Sequence, residues 1–186
     1  MSAEQAKAHL ATFLAETPAS LAALRKSAAE HGQYAELLDL SVASLDPLWQ
    51  WVTDRVAWRA GYRPPASSAE PPMTIDPARV EPAELLPFWF HSNPAQWATF
   101  SFDTLWLTDR LGRYLGEVLV AHAPRAKWKV GRSAKRNYIY QNHPVISGVG
   151  GDEIEPIETA GGLIHKHLMN RAGPTPRQRM AEWLAR

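Results

Sequence analysis

The regular spacing of apolar positions is strongest between residues 102 and 130. Leu105, Leu111, Leu115, Val118 and Leu119 recur at helical intervals and predict a helix over about 102–122, capped by Ser101 or Asp103 and closed by Pro124. Gly112 and Gly116 lie one turn apart in it. Glycine inside a helix costs about 1 kcal/mol relative to alanine. The pair therefore predicts a close-packed neighbour, and the sheet that follows is expected to lie across them. The period then shortens to two. In 126–130, Trp128 and Val130 fall on one side and Lys127 and Lys129 on the other, as in a strand. Residues 137–141 alternate in the same manner and are expected to form a second strand, and 145–149 a third. Residues 131–136 and 150–152 are expected as turns.

Upstream, Ala6, Leu10, Phe13 and Leu14 predict a helix over 2–16 with Ser2 as its cap. Thr17-Pro18 reads as the cap and first position of a second helix, with Leu21, Leu24 and Ala28 inward and His31-Gly32 at its end. Residues 37–42 fit a short strand or a helical turn. Asp46-Pro47 predicts another helix, running to Trp58, with Leu48, Trp51, Val52 and Arg55 along a buried face. Residues 85–90 suggest a short helix and 95–100 a turn. Downstream, Thr159 is the expected cap of a helix with Ile164 and Leu168 inward, closed by Gly173-Pro174. Thr175-Pro176 opens a last short helix, with Met180, Trp183 and Leu184 packing back. The fold class that results is α+β: N-terminal helices packed with a small antiparallel sheet of three or four strands, flanked by a long helix and a C-terminal helix.

Composition changes this picture in two places. Seven prolines fall between positions 64 and 87, and each removes a donor and fixes φ, so this stretch is a linker or long loop. It divides an N-terminal helical part (1–63) from an α+β part (88–186), expected to pack as one unit. Six of the 8 Trp lie between Trp49 and Trp106, which concentrates aromatic packing there. The chain has no Cys, so disulfides, zinc–thiolate sites and cysteine nucleophiles are excluded. The net charge of +1 gives no global field for nucleic acid or a membrane surface. No apolar run approaches the roughly 20 residues of a membrane span, and no leader pattern opens the sequence, so a cytoplasmic protein is expected.

Candidate chemistry is sparse. Arg125, Lys127, Lys129, Arg132, Lys135 and Arg136 place six cations in twelve residues without an acid, and Trp128, Tyr138 and Tyr140 interleave with them. Such a hairpin suits charged contacts with aromatic anchors, or a phosphate backbone with stacked bases. It also suits a solvated sheet face guarded by lysines. Asp152, Glu153, Glu155 and Glu158 are close enough in sequence to salt-bridge back to it. His165 and His167 point about 160° apart on a helix and cannot share a metal ion. His122, His143 and Glu117 could line an acid–base pocket between the tryptophan helix and the sheet, but no nucleophile accompanies them. The glycines of 148–151 match neither the phosphate-loop nor the dinucleotide pattern. No cofactor or metal is expected.

The segment Leu111-Gly112-Arg113-Tyr114-Leu115-Gly116-Glu117-Val118-Leu119, with Trp128, His143-Pro144-Val145 and Ile154-Glu155-Pro156-Ile157 after it, resembles a loose class of uncharacterised actinobacterial α+β domains with a Leu-Gly-x-x-Leu-Gly-Glu helix. Some of these are found near toxin–immunity systems. The resemblance implies protein binding without catalysis and transfers no catalytic residue. The near-neutral charge departs from the acidic balance of immunity proteins that neutralise nucleases. The leading expectation is thus a non-enzymatic protein-interaction module of immunity or regulatory type, acting through Arg125, Lys127, Lys129, Arg132, Lys135, Arg136, Tyr138 and Tyr140. A small-molecule binder or small enzyme with a His/Glu-lined pocket is the second reading, and a nucleic-acid binder the third.

Overall fold

The computed structural model describes residues 1–30, 38–65, 70, 73–76, 85–87, 89–90, 97–134 and 138–186. Among them are five α-helices and one three-stranded antiparallel sheet, an α+β fold. The elements are α1 (Ala3–Ala29), α2 (Leu45–Thr53), α3 (Phe102–His122), β1 (Lys127–Val130), β2 (Pro144–Val149), β3 (Asp152–Ile154), α4 (Pro156–Leu168) and α5 (Pro176–Leu184).

Helix α3 is the hub. Ser101 Oγ accepts the Thr104 amide at 3.2 Å, as a capping residue should. Leu105, Leu111, Leu115, Val118 and Leu119 are all buried, in one hydrophobic cluster with Leu24 of α1, Trp51 of α2, Ile146 of β2, Ile164 of α4 and Trp183 of α5. The two glycines receive different neighbours. A Cβ on Gly116 would lie 2.2 Å from Trp128 Cζ2 of β1, so the sheet does cross there. One on Gly112 would lie 2.6 Å from Ile157 Cα, so the first turn of α4, rather than the sheet, occupies the other notch.

The two N-terminal helices expected from Thr17-Pro18 are one. Pro18 lies inside α1, on its exposed side, while Phe13, Thr17, Leu21, Leu24 and Ala28 form a continuous buried stripe across it. A proline inside a helix costs about 3 kcal/mol, but burying Phe13, Leu21 and Leu24 contributes roughly 1.5–3 kcal/mol each, so the stripe wins. Thr17 is no cap. Its hydroxyl donates to the Phe13 carbonyl at 2.9 Å, and Arg113 Nη1 donates to that carbonyl at 2.5 Å and to Thr17 Oγ1 at 2.8 Å. Arg113 also donates through Nε to Asp109 at 2.9 Å. Asp109 in turn accepts from Ser20 Oγ and Trp89 Nε1, each at 3.2 Å. This buried polar knot clamps α1 onto α3.

Helix α2 is shorter than expected. It stops at Thr53, and Ser44 precedes it in place of an Asp46 cap. The Ser44 hydroxyl is engaged elsewhere, with the Ser41 carbonyl at 2.5 Å and Tyr114 Oη at 2.6 Å. Trp58 leaves the helix because it pairs with Phe100 in an antiparallel bridge, with Arg59 N–H donating to the Thr99 carbonyl and Ser101 N–H to the Ala57 carbonyl. Of the 37–42 stretch the described part, 38–42, is neither strand nor helix, and Leu40 takes a left-handed φ of 65°. Most of 64–87, the Pro-rich stretch, lies outside the described residues.

The sheet order is β1-β2-β3. Residues 138–141 are not the second strand. They belong to a turn closed by Gly131 N–H donating to the His143 carbonyl and Asn142 N–H to the Gly131 carbonyl, with Asn142 at φ 69°. Lys127 therefore pairs directly with Ser147, and Val130 with Pro144. The turn after β2 is Gly150-Gly151, and Asp152 already belongs to β3. Helix α4 starts earlier than expected, at Pro156, with Glu155 rather than Thr159 as its cap, and ends at Leu168 rather than at Gly173-Pro174. Helix α5 opens on the Thr175/Gln178 capping box; Met180 and Trp183 are buried, whereas Leu184 is exposed. No described helix is long and apolar enough to cross a membrane.

Candidate functional site

The turn that replaces the expected second strand overhangs a groove of about 770 Å³. Tyr138, Ile139 and Tyr140 of the turn form one wall, the acidic residues of β3 and the start of α4 the floor, and Lys166 with the end of α5 the far rim. The size lies within the roughly 300–1,000 Å³ range of ligand pockets.

Glu155 is the most unusual group in it. Because Pro156 has no N–H and begins α4, the preceding residue caps the helix, and the Glu155 carboxylate accepts the Glu158 amide. The side chain is buried. Removal from water pushes its carboxyl up to about 8, outweighing the amides of Glu158 and Ile157 that favour the charged form, and the nearby Glu158 and Asp109 carboxylates push the same way. Burial also raises Glu158 above the ordinary carboxylate range. Tyr140 is raised by burial and by the Glu158 and Glu155 carboxyls facing it. Its ring stands edge-on to Tyr138 at 5.9 Å. The Tyr138 hydroxyl and Glu153 Oε2 are buried without a hydrogen-bond partner among the described residues, and both residues line the groove.

The sequence-predicted residues do not form one patch. Arg132, Tyr138 and Tyr140 line the groove, although Arg132 Nη2 also donates to the Ala3 carbonyl at 3.0 Å, tying the turn to the start of α1. Lys129 forms an ion pair with Glu153 of β3, as the acidic run after β2 suggested for the hairpin. Lys127 and Arg125 are exposed and do not line the groove. Lys135 and Arg136 lie outside the described residues. What sequence reasoning did not place at the site is its far side: Lys166, Arg179 and Arg186. Glu155-Pro156 preceding an apolar-periodic stretch is the signal that would have marked the floor, since a carboxylate before a helix-opening proline reads as a cap.

The other candidates are separated. His165 stands edge-on to Trp58 at 5.4 Å and His167 to Trp49 at 5.9 Å, so each packs on its own tryptophan. Among the described residues no group of three or more His, Cys, Asp or Glu could hold a metal ion. Glu117 accepts the Trp128 indole N–H at 3.0 Å. His122 is exposed, with Nδ1 2.9 Å from the Val118 carbonyl. His143 is half-buried, and burial lowers its pKa; the His9 pKa is lowered by burial first and then by His143 and Arg113. None of the three lines this groove or the smaller one beside α2.

Compared with protein-family models, curated proteins and solved structures, the chain matches none.

Proposed function

We propose that this chain is a protein-interaction module of immunity or regulatory type, without catalysis of its own, and that the partner docks at the groove mouth. The observation that carries this reading is Ile139. It is 67% exposed, on the turn between two half-buried tyrosines, at the rim of the groove. An aliphatic side chain flanked by aromatics beside a concave surface has the composition of a binding hot spot. Arg132 and, across the groove, Lys166 favour a partner with acidic side chains. The resemblance to domains found near toxin–immunity systems points in the same direction.

The test is affinity capture of the tagged full chain at native expression, alongside Ile139→Glu. A specific protein recovered with the wild type and lost with the variant, while the two give the same circular dichroism, supports the reading. A partner retained by Ile139→Glu, or no specific partner at all, overturns it. A small-ligand binder is the second reading. It draws on the groove volume and on Glu155, a carboxyl that is a hydrogen-bond donor at neutral pH.

A further inference from the structure

A second concave surface lies elsewhere on the molecule and plays no part in the reading above. It is a groove of about 620 Å³ between α2 and the first half of α3, with Ser27 of α1 at one edge. Trp51 forms part of its wall. This residue is 2% exposed, and its indole Nε1–H has no hydrogen-bond acceptor among the described residues. A buried donor left without a partner is unfavourable by as much as the hydrogen bond it lacks. An apolar residue of similar volume would fill the space without that penalty.

The surroundings of that N–H favour one class of ligand. Arg55 donates through Nη1 to the Trp51 carbonyl at 3.0 Å, and its guanidinium lies 4.7 Å from the centre of the Trp51 ring. It is therefore held beside the indole as a fixed positive charge. On α3, Phe102, Trp106 and Arg110 follow at intervals of four and so share one face, and all three line the groove. Trp106 is anchored by its own N–H, which donates to the Leu85 carbonyl at 3.1 Å. The groove thus combines aromatic surface with the Trp51, Arg55 and Arg110 donors, none of which has an acidic partner among the described residues. Among the described residues Asp103 is the one acid lining it, and it disfavours a second negative charge on whatever binds.

We infer that this groove is a binding site for a small aryl monocarboxylate, its ring against Phe102 and Trp106 and its carboxylate taken by the Trp51 indole N–H and the Arg55 and Arg110 guanidiniums. The site is separate from the Ile139 groove, and neither reading depends on the other.

The experiment uses the full chain and 1-naphthoate, with 1-naphthalenemethanol as the neutral control of the same shape. The eight indole N–H signals are resolved by ¹H–¹⁵N correlation, and the Trp51 signal is assigned by its loss in Trp51→Phe. Naphthoate is expected to shift the Trp51 signal saturably with a midpoint at or below about 1 mM, and the alcohol is not. Arg110→Gln is expected to weaken binding about tenfold, the loss of one charge-assisted hydrogen bond. No shift with naphthoate overturns the inference. So does an equal shift with the alcohol, or binding undiminished in Arg110→Gln. The wild-type titration decides the matter even if a variant fails to fold.

Discussion

Replacing Arg113 by Met keeps an unbranched apolar stem as far as the Nε position and removes every hydrogen bond that joins α1 to α3 through the guanidinium. In the folded chain Arg113 donates to Asp109, to the Phe13 carbonyl and to Thr17 Oγ1, and its guanidinium lies 3.9 Å from the centre of the Phe13 ring. Asp109 is 1% exposed. After the change its carboxylate keeps only the Ser20 hydroxyl and the Trp89 indole, two neutral donors for a full charge. Breaking a buried ion pair from one side costs about 3–5 kcal/mol. The Glu16 contact at 3.5 Å adds little, because Glu16 is largely exposed. A chain of this length loses roughly 2–4 °C of Tm per kcal/mol, so Arg113→Met is expected to lower Tm by about 6–20 °C. The cost resides mainly in the stranded carboxylate. Arg113→Met combined with Asp109→Leu should therefore be less destabilised than the sum of the two single changes. Urea unfolding of the four chains measures the coupling. A loss below about 1 kcal/mol for Arg113→Met, or strict additivity in the cycle, refutes the account of α1 as clamped by a buried charge pair.

Two further outcomes follow from the geometry. The Glu155 carboxyl, near 4.5 when exposed and about 8 in the fold, binds its proton more tightly folded than unfolded. Its contribution to stability is therefore full below pH 4.5 and lost as pH rises towards 8, by at most roughly 1.4 kcal/mol per pH unit. Glu155→Gln should flatten that slope in denaturation curves recorded between pH 5 and 8, and identical slopes in the two chains would contradict the raised carboxyl. Gly116→Ala places a Cβ against the Trp128 ring and should cost about 1–3 kcal/mol despite the better helix propensity of alanine. Gly162→Ala, where nothing lies within 4 Å, should stabilise by up to about 1 kcal/mol, and thermal melts of the pair check the opposite signs.

Much of the architecture was legible because it rests on local rules. The apolar positions of α3, the alternation around Trp128 and the Thr175-Pro176 start of α5 all lie where spacing and capping chemistry put them. The misplaced elements share a cause: a tertiary partner overrides a local signal. Pro18 breaks helices locally, but it lies on the exposed side of α1, and the stripe opposite it is buried in the core. The alternation of 137–141 is that of a strand, yet the described residues turn back at Asn142, because β1 already pairs with β2 through Val130 and Pro144. The candidate site was half legible for the same reason. Arg132, Tyr138 and Tyr140 stood out as a cluster in sequence, whereas Lys166, Arg179 and Arg186 reach the groove only because α4 and α5 pack around α3.

That packing also alters the electrostatics of the groove from what composition alone suggests. Glu153, Glu155 and Glu158 on the floor would read as an acidic site. The Lys129 ammonium offsets Glu153, and burial holds Glu155 protonated at neutral pH, so two of the three add little net charge. Arg132 and, on the far side, Lys166 line the same groove as Ile139 and add positive charge to it. The cap that starts α4 thus also bears on the charge of the groove: a floor carboxyl that ionised freely would add negative charge to the surface that Arg132 and Lys166 line. Arg132, Lys166 and the exposed Ile139 all line one groove, and that is why the proposed docking site is the Ile139 face rather than the lysines of β1.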